Sequence, residues 1–239
     1  MTSNLPPLDP ARDALRQHVL AHSLKTGDFT LKSGAKSTWF LDTKQTACRP
    51  DGIVLVAENT SNTLRKISEI YDRIGFAGVG KYNEFDQLRR FGVRNADVKG
   101  YQYSRDDVEA RSLANEYAQI LGQTFTHDTK PFEVEILVAE VGFDQDADQL
   151  FHIMYDGTLV DERGMSVLGG DAEAIADRLK DAWNRTADLR TAVRACVAAL
   201  SGPDRSLGAD DTEVAVLSRS NGRRCFRRLD DAEVSALLA

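Results

Sequence analysis

The sequence predicts an α+β chain folded as a four-layer α/β/β/α sandwich, and three observations carry that expectation. From residue 52 onward the elements read as three strands, two helices, three strands, two helices and two strands. The helices come in pairs, each with a one-sided apolar stripe. The strands between them come as antiparallel hairpins, so helices must cover the outer faces of two stacked sheets if every stripe is to be buried.

Each element has its own signal. Ile53 to Val56 is a short apolar run bounded by Gly52 and Asn59, as expected of a strand covered on both faces. The stretch LRKISEIYDRIGFAGVGKYNEF, Leu64 to Phe85, reads as strand, turn at Tyr71-Asp72-Arg73, strand and helix start. Ile67 and Ile70 precede the turn, Ile74, Phe76 and Val79 follow it, and Asn83 is the expected helix cap. Gly78 and Gly80 beside Lys81 lack the spacing of a phosphate loop and predict close helix-to-strand packing instead. The first helix carries Phe85, Leu88, Gly92 and Ala96. A second is expected after Ser104, capped with Asp107, on the stripe Ala110, Leu113, Ala114, Tyr117, Ala118 and Leu121. After Pro131 the period changes to two along Phe132, Val134, Ile136 and Val138, which marks a strand, and Asp156-Gly157 joins the next two. Asp171 and Asp188 each stand before a helical stripe, the second placing Cys196 on a core face. A hairpin about Asn221-Gly222 and a short helix from Asp230 follow. Arg223, Arg224, Arg227 and Arg228 are expected to bridge acidic neighbours there.

Composition excludes several classes. With 42% apolar residues in 239, the chain can bury a substantial core. A net charge of −7 and a pI near 5.2 argue against a polyanion-binding surface. No apolar run approaches the roughly 20 residues that span a bilayer, and the first residues lack signal-peptide character, so a cytoplasmic location is expected. Cys48, Cys196 and Cys225 are widely spaced and read as free thiols. His18, His22, His127 and His152 stand singly, without metal-ligand spacing. No cofactor or metal site is expected.

Residues 1–50 differ from the rest. They hold seven Lys and Arg against four Asp and no Glu, a net +3 that leaves −10 for the remainder. Leu15, Val19 and Leu20 suggest a short helix ending near Gly27, and Ser33-Gly34 a turn between two short strands. Thr38 to Leu41 is expected to pair beside Ile53 to Val56, since an open apolar edge invites aggregation.

Several stretches are recognisable. GIVLVAEN, LRKISEIYDRIGFAGVGKYNEFDQLRR, VRNADVKGYQYSRDDVEARSLANEYAQILGQTF, KPFEVEILVAEVG and YDGTLVDERG closely resemble the α subunit of the actinobacterial-type proteasome core particle, over about residues 52 to 229. The resemblance implies the N-terminal-nucleophile hydrolase fold for a domain over residues 51–239, in line with the sandwich read from the pattern. It implies heptameric α rings that cap proteolytic β rings, form the substrate-entry gate and dock an ATPase activator. It also implies that Lys66, at the head of the strand–turn–strand unit, lines a pocket between subunits and pairs with the C-terminal carboxylate of an activator tail. Without the resemblance, a lysine at a strand start is an ordinary solvated charge. Tyr101, Tyr103 and Arg105 resemble the family's loop that meets neighbouring subunits, or else pack locally beside a helix start.

The catalytic chemistry of such particles needs a threonine exposed as an N-terminus, whose amine serves its own hydroxyl as base. No stretch resembles the junction that releases one. Thr60, Thr63 and Thr158 read as turn and strand residues, so the chain is expected to be a non-catalytic subunit with no catalytic residue of its own. Residues about 11–50 resemble a different family. LKTGDFTLKSGAKSTWFLDTKQT is similar to the N-terminal segment of orotate phosphoribosyltransferase, which implies a ligand-binding role for Lys32 near orotate or phosphoribosyl diphosphate. The rest of that enzyme, including its phosphoribosyl loop, is absent. An atypical head at the position of the gate helix and a phosphoribosyltransferase-related fragment therefore stand as alternatives for this segment.

Overall fold

The structure is a computed structural model describing residues 24–30, 36–41, 51–61, 63–169, 171–182 and 184–239, the first two stretches as backbone only. The chain divides into two units, residues 1–49 and 50–239.

In the first unit Leu24–Thr30 (β1) pairs antiparallel with Lys36–Leu41 (β2), in a sheet of two strands. This corrects two expectations. Leu24 to Gly27 is strand, not the end of a helix, and Thr38 to Leu41 takes Leu24–Thr30 as its partner. The β-branched and aromatic residues of both segments suit a hairpin, and the nearer partner in sequence costs less loop-closure entropy. Lys32, the Ser33-Gly34 turn, His18, His22 and Cys48 lie outside the described residues, as does Trp183.

The second unit follows the expected order. It runs Gly52–Glu58 (β3), Ile67–Tyr71 (β4), Ile74–Gly80 (β5), Tyr82–Gln102 (α1), Ala110–His127 (α2), Val134–Glu140 (β6), Gln149–Ile153 (β7) and Leu159–Glu162 (β8). Ala172–Ala182 (α3), Leu189–Ser201 (α4), Thr212–Ser218 (β9), Phe226–Arg228 (β10) and Asp231–Leu238 (α5) complete it. The strands form a five-stranded antiparallel sheet in the order β4-β5-β6-β7-β8 and a three-stranded sheet in the order β10-β9-β3.

Three apolar cores separate four layers, as the pattern required. Between α1–α2 and the five-stranded sheet lie Phe76, Phe85, Leu88, Tyr117, Leu121, Val138 and Phe151. Between the two sheets lie Leu55, Ile67, Leu137, Ala139, Val141 and Leu217. Beneath α4 and α5, Val193, Val197, Val214, Val216 and Val234 close the other side. Val138 and Ala139, neighbours on β6, are both fully buried because their side chains point into different cores.

The helix starts shift slightly from expectation. The helix α1 begins at Tyr82 with Lys81 as its cap residue and no side-chain cap, so Asn83 lies inside the first turn. Ser104 caps a short 3-10 turn over Arg105–Asp107, accepting from Asp106 N, and α2 starts only at Ala110. Asp188 and Asp230 cap as expected, accepting from Thr191 N at 2.8 Å and Glu233 N at 2.8 Å. Gly78 and Gly80 do serve packing. A Cβ on Gly78 would stand 2.8 Å from the Phe85 ring, and Gly80, at φ +99°, brings its backbone against Glu133 O.

Candidate functional site

Lys66 sits where the two sheets meet, on backbone held by a buried carboxylate. Glu213 of β9, 3% exposed, accepts from Lys66 N at 2.9 Å, Ile67 N at 3.3 Å and the Asn59 amide at 2.7 Å. Its charge is met by Arg228, which also donates to Ile67 O at 2.7 Å. This satisfies an otherwise costly buried charge and ties the start of β4 to β9. Gly78 N donates to Lys66 O at 2.9 Å, so both backbone groups of Lys66 are engaged.

The side chain has a different situation. Its ammonium donates to Glu58 O at 2.8 Å and, among the described residues, forms no ion pair. The nearby Glu58 carboxylate is taken by Arg205 through contacts of 2.9 and 3.1 Å. An ammonium carries three donors, so the half-buried Lys66 Nζ retains capacity for an incoming anion while its position is fixed by a neutral carbonyl. Lys66 also lines a groove of about 1190 Å³ running along β3.

The three candidate residues at the end of α1, Tyr101 in its last turn and Tyr103 and Arg105 beyond it, divide. Tyr101 and Tyr103 are 92% and 75% exposed. Arg105 is engaged within the chain: its Nε and Nη2 reach the two Asp72 oxygens at 2.8 and 2.6 Å, and its guanidinium lies 4.6 Å from the Tyr71 ring centre. The Arg105 hydrogen bond holds the Asp72 carboxyl below its ordinary value, and Asp72 in turn raises the pKa of Arg105. Lys66 and Asp72 flank opposite ends of β4, about 20 Å apart along a strand, so the tyrosines and Lys66 do not form one site.

Other candidates resolve into local roles. Arg224 pairs with Glu69, Arg227 with Glu233, Arg228 with Glu213 and Arg223 with Asp72. His152 is less isolated than its sequence context suggests, with Glu135 Oε2 3.4 Å from its Nε2. Thr158 N donates to Asp156 and Thr63 N to Ser61, as turn residues do. Burial pushes the Cys196 thiol up to about 11. Sequence reasoning missed Glu213, Asn59, Glu58 and Arg205. The one available signal was Glu213 itself, a lone carboxylate in the apolar strand TEVAVL.

Residues 47–217 match the family model described as Proteasome subunit. A protein of Acidimicrobium ferrooxidans named Proteasome subunit alpha is 58% identical over 187 residues, 78% of this chain and 81% of that protein. Proteins of the same name from Kineococcus radiotolerans and Thermomonospora curvata are 50% and 51% identical over 199 and 191 residues, with 79% of this chain and 84% and 83% of theirs covered. The reading of residues 11–50 as a fragment that binds orotate or phosphoribosyl diphosphate receives no support from these matches.

Proposed function

From the premise that the chain belongs to the proteasome subunit family, we propose that it is the non-catalytic α-type subunit of a proteasome core particle in the cytoplasm. Residues 51–239 are its α-type domain, and residues 1–50 an atypical segment at the position of the gate helix. Seven copies form a ring that stacks on β subunits, controls substrate entry and receives the C-terminal tails of an ATPase activator. Tyr101 and Tyr103 contact neighbouring subunits, and Arg105 fixes the turn that follows them.

Lys66 is the observation on which the docking role rests. Its backbone is locked by Glu213 and Gly78, its ammonium is oriented by Glu58 O, and no carboxylate among the described residues neutralises it. A tail carboxylate arriving there would form a charge-assisted hydrogen bond, and repetition around a ring would turn modest sites into strong binding. Threonine proteolysis belongs to the β partner in this reading, and the hydrogen bonds of Thr63 and Thr158 serve local turns.

The test is the light-scattering mass of the protein purified with a matching β subunit, with peptidase activity read on the same fractions. A stacked-ring mass with activity is expected, and a monomer or dimer without activity would sink the assignment. Lys66→Ala in that particle should leave basal peptidase activity intact and lower activator affinity by about 30-fold or more, the loss of one charge-assisted partner. Unchanged stimulation would remove Lys66 from the docking role.

A further inference from the structure

The strand β3 forms one end of its sheet, and among the described residues no strand takes its outer edge. The register tells which backbone groups face outward. Arg219 N donates to Asp51 O and Asn59 N to Asp211 O, so the odd-numbered residues turn toward β9. Gly52, Val54, Val56 and Glu58 therefore turn their N–H and C=O groups to the open side. The Glu58 carbonyl is taken by the Lys66 ammonium.

This edge lies in the groove of about 1190 Å³, larger than the roughly 300–1,000 Å³ of small-molecule pockets. Ala77, Val79 and Leu137 line it from the five-stranded sheet, and Ile175, Ala192 and Cys196 from the helices. Leu55 is the only buried residue of β3, so apolar surface remains on both faces of the strand. Eight carboxylates and five cations line the groove, an excess of negative charge.

We propose that the groove takes an extended segment of another polypeptide as an added strand beside β3, apolar at alternate positions and basic at its ends. Backbone pairing with Val54 and Val56 supplies its hold, the two apolar walls select alternate side chains, and the acidic lining selects lysine or arginine at the ends. A second folded copy of this chain is a poorer fit, because it would have to bring a whole sheet edge between walls from two layers. The inference does not depend on ring assembly, since it is read on the isolated chain.

The probe is a fluorescein-labelled peptide of about nine residues, a core of about seven alternating valine and threonine to match the roughly 23 Å of β3 with a lysine at each end. Saturable anisotropy binding to the full chain is expected. Val56→Pro removes an N–H that faces the open side and leaves pairing with β9 intact, so it should weaken binding about tenfold or more. An N-methylated peptide should lose binding to the same degree, which keeps the test decisive if Val56→Pro does not fold, and glutamate at the peptide ends should also weaken it. No binding up to about 1 mM peptide, or equal binding of the methylated peptide, would overturn the proposal. So would self-association abolished by Val56→Pro without peptide binding, which would make a second copy the occupant.

Discussion

The two sheets of residues 50–239 are closed to different degrees. In the five-stranded sheet Ile67, Ile74, Phe76, Ile136, Val138, Phe151 and Ile153 are at most 1% exposed, whereas in β3 of the three-stranded sheet only Leu55 is buried. Five strands under two long helices fill their own core. Three strands leave one edge half-covered, and the groove and Lys66 lie along it. Residues at the covered sheet should therefore govern stability, and residues at the open edge should govern binding.

Five variants would break or sharpen that contrast. Glu213→Ala should have the largest effect, because it leaves Arg228 without its partner and cuts the tie between the sheets. A loss of about 3–5 kcal/mol in urea unfolding is expected. Leu121→Ala, at a fully buried site under the five-stranded sheet, should cost about 2–5 kcal/mol, while Val54→Ala at the open edge should cost about 1 kcal/mol. Equal costs would erase the distinction between the sheets. Tyr117→Phe should stabilise the protein by about 1 kcal/mol in the same assay, since the Tyr117 hydroxyl is buried with no partner among the described residues.

Asp72→Asn should give the smallest effect, confined to acid. Arg105 holds the Asp72 carboxyl below its ordinary value of 3.8, so its contribution is present above that pH and is lost as pH falls through the lower folded value. The variant should lack that part of the acid slope in a stability-against-pH series. An unchanged slope would mean that the Arg105 pair does not hold the loop after α1.

Much of this was legible in the chain. The stripe from Ala110 to Leu121, the alternation from Val134 to Val138 and the turn at Gly157 report local periodicity, and they placed α2, β6 and the hairpin of β7 and β8 without reference to any partner. The shifts at Asn83 and Ser104 are of another kind, since several polar residues near a helix start can cap it and the packing of Phe85 on Gly78 chose among them. The sequence pattern pairs Thr38 to Leu41 with Ile53 to Val56 rather than with Leu24–Thr30, because an apolar strand announces that it needs a partner without saying which one.

The sequence alone determined the layer order, the family and the candidacy of Lys66, because each is carried by spacing along the chain or by a long ordered likeness. Tertiary structure decided that, among the described residues, Lys66 has no counter-charge while Arg105 has one, and that none of the described strands takes the outer edge of β3. The physical reason is separation: Glu213 stands 147 residues from Lys66 and Asp72 stands 33 from Arg105. Which charge meets which depends on how the sheets stack, and no periodicity within a single element records that.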